Sequence, residues 1–170
     1  MDYRAMFKGD YISAVEFAGR RPTFTIDQIR LVPLPDEKTG RDKDKGVVFF
    51  RESPRGWVLC KTNAICLAGM FGPQTGGWTG KRVTLYACEV QFGREKVPGI
   101  RVFGSPDLER PVRVEVKLPR KKPFVMTMQC TGRQQDPQPD RDPEAEAAER
   151  ALGEAEQREL DARSAREVEP

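Results

Sequence analysis

The amino-acid order predicts a mainly β domain, a five-stranded barrel with one short helix between its third and fourth strands, followed by a polar tail. Three observations lead there. Short runs rich in β-branched and aromatic residues recur between Gly, Pro and Asn turn signals; a single apolar run breaks that alternation in a helical manner; and the composition changes abruptly after Gly132.

Taken in order, Tyr11 to Phe17 reads as the first strand, ending at Gly19. Phe24 to Val32 reads as the second. Phe24 and Ile26 share one phase while Ile29 and Leu31 share the other, so a bulge near Asp27 and Gln28 is expected. Residues 33–46, with Pro33, Pro35, Gly40 and alternating Asp and Lys, read as a solvated loop, and Val47 to Phe50 as the third strand. A turn is expected at Ser53 to Gly56, with Trp57 to Leu59 as a short extension of the sheet.

Asn63 to Phe71 is the helix, with Thr62 or Asn63 able to cap it and Gly72-Pro73 able to stop it. Lys81 to Gln91 is the fourth strand, with Val83, Leu85 and Ala87 on one face. Phe92 to Lys96 turns the chain into the fifth strand, Gly99 to Phe103; Val112 to Leu118 and Phe124 to Met128 add further β structure. Three strands, a helix and two strands is the order of the OB-fold, a partly open barrel that binds oligonucleotides through strands two and three and the loops joining strands one to two and four to five. Another β-barrel or a sandwich with one inserted helix fits the same order.

Charge narrows the class of partner. Residues 1–133 carry 24 Lys and Arg against 14 Asp and Glu, whereas residues 134–170 carry 5 against 12. The expected division is therefore a basic OB-like domain over 1–133 and an acidic linker and helix-forming tail over 134–170. A basic domain points to a polyanion. At the expected ligand-facing loops, cations and aromatics coincide: Arg20, Arg21 and Phe24 between strands one and two, and Phe92, Arg94 and Lys96 between strands four and five. Lys81 and Arg82 open strand four. Arg82, Tyr86, Arg101 and Phe103 fall in the phase opposite to the expected core and form either a platform or an ordinary solvated face. Single strands need this mixture, because bases stack on flat rings while Lys and Arg follow the phosphates.

Duller readings stand beside these. Trp57, Phe71 and Phe49 suit a core, Arg20-Arg21-Pro22 suits a polar turn, and Trp78 either covers the barrel rim or reaches a base. The five cations Arg113, Lys117, Arg120, Lys121 and Lys122 extend the phosphate-attracting track or form a surface turn. Glycines 76, 77 and 80 before Lys81 do not have P-loop spacing, and Lys81 starts a strand.

The chain has no histidine, which removes the commonest general base, so no catalytic residue is expected. Cys60, Cys66, Cys88 and Cys130 form no C-x-x-C pair; no metal and no cofactor are expected, and the cysteines read as reduced fillers of apolar positions. No run of about 18 apolar residues is present, and Met1-Asp2-Tyr3-Arg4 does not open a secretory signal, so a cytoplasmic location without membrane partners is expected. In the tail, Asp142 suits a cap before Pro143. Glu146 with Arg150, Glu154 with Arg158 and Glu159 with Arg163 are pairs four apart on a helix lacking a wide apolar stripe. Such a tail mimics nucleic acid over the basic face, recruits other proteins, or only solubilises.

Lys61-Thr62-Asn63-Ala64, Phe71-Gly72, Trp78 to Tyr86 and Gly99-Ile100-Arg101-Val102 together resemble a pattern in small proteins of bacteriophages and prophages, over about residues 47 to 103. More loosely, a basic barrel with an acidic carboxyl tail resembles phage and bacterial single-stranded DNA-binding proteins. Arg166 to Pro170 departs from the Asp-rich, Phe-terminated tip of the bacterial family. Such phage and prophage proteins usually have no assigned function, so the first resemblance implies a phage origin more than an activity; the element order, the charge split and the looser resemblance together lead to the expectation of a phage-type single-strand binder acting in DNA replication or recombination in a bacterial host cytoplasm. Its partners would be single-stranded DNA, replication or recombination proteins met through the tail, and further copies of itself in a homo-oligomer. The alternative class is a structural or protein-interaction module, such as a virion component or a host-factor inhibitor.

Overall fold

The computed structural model describes residues 9–36 and 39–132, together with Glu144, Ala147, Ala148, Arg150, Ala151, Glu154, Ala155 and Arg158. Seven strands and a helix follow in chain order: β1 (Thr23–Pro35), β2 (Asp42–Phe50), β3 (Ser53–Val58), α1 (Lys61–Phe71), β4 (Arg82–Phe92), β5 (Glu95–Ser105), β6 (Val112–Val116) and β7 (Phe124–Cys130). They form one open sheet in the order β3-β2-β1-β4-β5-β7-β6, not a closed five-stranded barrel.

The first expected strand is a 3₁₀ turn, Ala14–Phe17. Ser13-Ala14-Val15-Glu16 has the Ser-x-x-Glu form of a capping box, and the Glu16 carboxylate accepts the Ser13 N–H at 3.0 Å. That local bond outweighs the β preference of the flanking residues. Tyr11 keeps only an isolated bridge to Gly56. Residues 33–35 and 42–46, expected as loop, prolong β1 and β2. Asp36 N–H donates to Arg41 O, so along β1 the residues facing β2 are even-numbered beyond the bulge, and Pro33 and Pro35 point their missing N–H away from the ladder. The bulge itself lies between Ile26 and Gln28, as the phase change predicted. Ser53 to Gly56 is not a turn but most of β3, where Pro54 is tolerated because β3 is an edge strand. Three strands therefore do precede the helix, with different boundaries from those expected.

α1 runs from Lys61 with Cys60, rather than Thr62 or Asn63, in the N-cap position, and the Cys60 side chain makes no capping bond. Asn63 is buried and bonds across to β5 instead. Its amide N–H donates to Ile100 O at 2.8 Å and its carbonyl accepts the Val102 N–H at 3.3 Å. The side chain thereby stands in for a strand along the free edge of β5. β3 does not pair with β5, and the sheet is open there; β7 joins β5 further on, parallel, at Gly104 and Ser105. Gly104 is required at that join, because a Cβ there would meet Gln129 O at 1.9 Å.

The core lies between α1 and one side of the sheet. It gathers Ile26, Val48, Phe50, Trp57, Leu67, Val83, Leu85, Val102, Val114, Met126 and Met128. Trp78 is buried in it too, and its indole N–H donates to Gly72 O at 2.8 Å, which assigns it to covering the core. Of the cysteines, Cys66, Cys88 and Cys130 are buried, whereas Cys60 is exposed at the start of α1. The described tail residues carry helical backbone. The expected linker, the Asp142 cap and the pairs Glu146 with Arg150 and Glu159 with Arg163 lie outside the described residues. Among the described residues, no helix is long and apolar enough to cross a membrane.

Candidate functional site

Four of the expected binding residues meet in one row. The Arg21 guanidinium lies 4.3 Å from the centroid of the Phe103 ring, Phe103 meets Tyr86 edge to face at 5.8 Å, and Tyr86 faces Arg101 across the β4–β5 ladder. A cation over a ring contributes about 0.5–1 kcal/mol when exposed and more when desolvated. The row is a packed one, not an open platform: Tyr86 is 5% and Arg101 7% exposed.

Arg101 is covered from two sides. One guanidinium nitrogen donates to the Cys60 sulfur at 3.2 Å, and another lies 3.5 Å from the Glu144 carboxylate of the tail. Glu144 also pairs with Lys121 of the basic β6–β7 turn. An acidic side chain of the tail thus lies against Arg101.

The remaining expected residues divide. Arg20, Arg21 and Phe24 line a cavity of about 510 Å³, shared with Glu52, Ser53 and Arg55. They precede or open β1, so they are not in a loop between the first two strands. Arg82 is engaged by Asp107, which takes its backbone N–H at 2.7 Å and its guanidinium at 2.9 and 2.6 Å. Burial works against the Asp107 charge, but the hydrogen bonds from Arg82 outweigh it, and the carboxyl is held below its ordinary value. Lys81 stays exposed just before β4. Phe92 ends β4 and Arg94 lies in the β4–β5 hairpin tip, roughly 20 Å along β4 from Tyr86, so Arg94 does not join the row.

A second face was not legible in the sequence. Pairing of Gln28 with Phe49, Arg30 with Val47, Val32 with Lys45 and Leu34 with Lys43 puts Arg30, Lys43, Lys45 and Phe49 on one side of the β1–β2 hairpin, away from the core residues Ile29 and Val48. The Arg30 guanidinium lies 5.3 Å from the Phe49 ring. Reading 33–46 as loop left Lys43 and Lys45 without a face; continuing the period-two alternation through the prolines would have recovered them. No family model, curated protein or solved structure matches the chain.

Proposed function

We propose that the chain binds single-stranded DNA without catalysing a reaction, in the manner of phage-type proteins of replication or recombination. The observation that carries this is the β1–β2 face, where three cations and an aromatic ring stand together on adjacent strands. Lys and Arg there match phosphates, and a base stacked on Phe49 would contribute about 1–3 kcal/mol. The strand order supports it. β3-β2-β1-β4-β5 with a helix between β3 and β4 is the order of an OB barrel opened between its third and fifth strands, and in that fold the second strand, which here carries Lys43, Lys45 and Phe49, is one of the two that hold the oligonucleotide.

The test is polarisation of a labelled single-stranded oligonucleotide with the full chain at low salt. Arg30→Ala, Lys43→Ala and Lys45→Ala should each weaken binding and each lower the salt slope by about 0.7. Unchanged affinity in all three, or equal affinity for duplex, counts against the reading. One observation is compatible with a protein-interaction module instead: Leu31 on the same hairpin is 73% exposed.

A further inference from the structure

We propose that the outer edge of β6 is a self-association surface, on which a second copy of the chain pairs antiparallel, Val114 against Val114, and continues the sheet. The proposal is independent of the single-strand reading. β6 ends the strand order, and among the described residues no backbone group pairs with its outer edge. An open row of N–H and C=O groups is a template for another strand unless something blunts it.

The opposite end of the sheet is blunted, and this one is not. On β3, Pro54 lacks a donor, and the Ile12 N–H already donates to Gly56 O at 2.8 Å. β6 pairs with β7 without a bulge from Val112 to Val116, and Pro111 and Pro119 lie outside it.

Register follows from face and charge. Val114 and Val116 belong to the core, so Arg113 and Glu115 stand on the other face of the strand, and both are exposed. Centring the pair on Val114 sets Arg113 of each copy opposite Glu115 of the other, and Val112 opposite Val116. Centring it on Arg113 or on Glu115 would set like charges against each other. A slip of one residue would set core valines opposite solvent-facing residues. β6 is thus self-complementary, as an isologous two-fold contact requires.

A second observation puts apolar surface beside the same axis. A Cβ on Gly69 would stand 2.5 Å from a Val114 methyl, so α1 crosses β6 at the residue on the axis and would meet its counterpart there. α1 has no charged residue after Lys61, yet Ala64, Ile65, Ala68 and Met70 are only half-buried. A helix apolar on every side is ordinarily covered, and here the second α1 covers it.

Sedimentation velocity of the full chain over a concentration series at low salt tests this. A dimer is expected. Arg113→Glu alone and Glu115→Arg alone each turn both cross-strand pairs into like charges, and each should weaken self-association about tenfold. An equimolar mixture of the two variants restores opposite charges at both pairs, so it should dimerise as wild type does. A wild-type chain that stays monomeric at about 100 μM overturns the edge pairing. So does a dimer that both single variants leave unchanged, or a mixture no stronger than its components.

Discussion

At the scale of single residues, the polar groups of this protein are most informative where they replace something. Asn63 replaces a strand: its amide satisfies Ile100 O and the Val102 N–H, so Asn63→Ala leaves two groups of a buried strand edge unbonded. Such a loss is expected to cost about 2–4 kcal/mol by urea denaturation, and a cost below about 1 kcal/mol would mean that water restores the bonds. Asp107 ties the start of β4 to the segment after β5 through Arg82. Because its carboxyl is held below the ordinary value in the folded state, it adds stability above that ordinary value and loses it as the pH falls through the depressed one. Asp107→Asn should therefore unfold at lower urea than wild type at about pH 7, with the difference shrinking toward about pH 3. A difference that persists in acid counts against this sign. Burial pushes the Cys66 thiol up to about 12, with Cys60 adding to the effect, so Cys66 acts as apolar filling, 3.6 Å from the Met126 sulfur.

Elements show where local chemistry and packing compete. The 3₁₀ turn at Ala14–Phe17 forms because a Ser-x-x-Glu box sits inside a β-rich run, and Arg55 of β3 then secures Glu16. The β1–β2 hairpin extends beyond its neighbours, and each of its long edges is guarded. Pro33 and Pro35 deprive β1 of outward donors. On β2, the outward backbone groups belong to Asp42 and Asp44, and a second copy paired antiparallel there would set Asp against Asp and Lys43 against Lys43. The α1–β6 contact depends on Gly69, where a Cβ would stand 2.5 Å from a Val114 methyl. Alanine gains about 1 kcal/mol of helix propensity but overpacks a buried contact at about 1–3 kcal/mol, so packing wins. Gly69→Ala should destabilise by about 1 kcal/mol, and Gly69→Ala with Val114→Ala should show favourable coupling in thermal unfolding; strict additivity refutes the contact argument.

For the whole molecule, the division between a basic body and an acidic tail becomes a contact, Glu144 on Arg101 and Lys121. Glu144→Gln should raise affinity for single strands at low salt about two- to fivefold, since one competing charge-assisted contact is removed near a partly screened surface. Removal of residues 134–170 should raise it further. Unchanged polarisation titrations for both variants would leave the tail as a tether or solubiliser. With about four phosphates neutralised, affinity should fall with a salt slope near −3, or about fiftyfold between 50 and 200 mM. A flat salt response would favour the protein-interaction module.

The amino-acid sequence determined whatever depends on near neighbours and on totals: the β4–β5 hairpin, the helix near residue 63, the bulge after Ile26, and the charge of the body against the tail. Periodicity and turn residues act over a few positions, so they were readable along the chain. Only the tertiary structure decided that the sheet is open and that Asn63 meets a strand 37 positions away, because both depend on pairings between residues far apart in the chain. It alone decided that Tyr86 and Arg101 are buried while Arg30, Lys43, Lys45 and Phe49 share a face, since burial and ladder register are properties of the folded sheet as a whole.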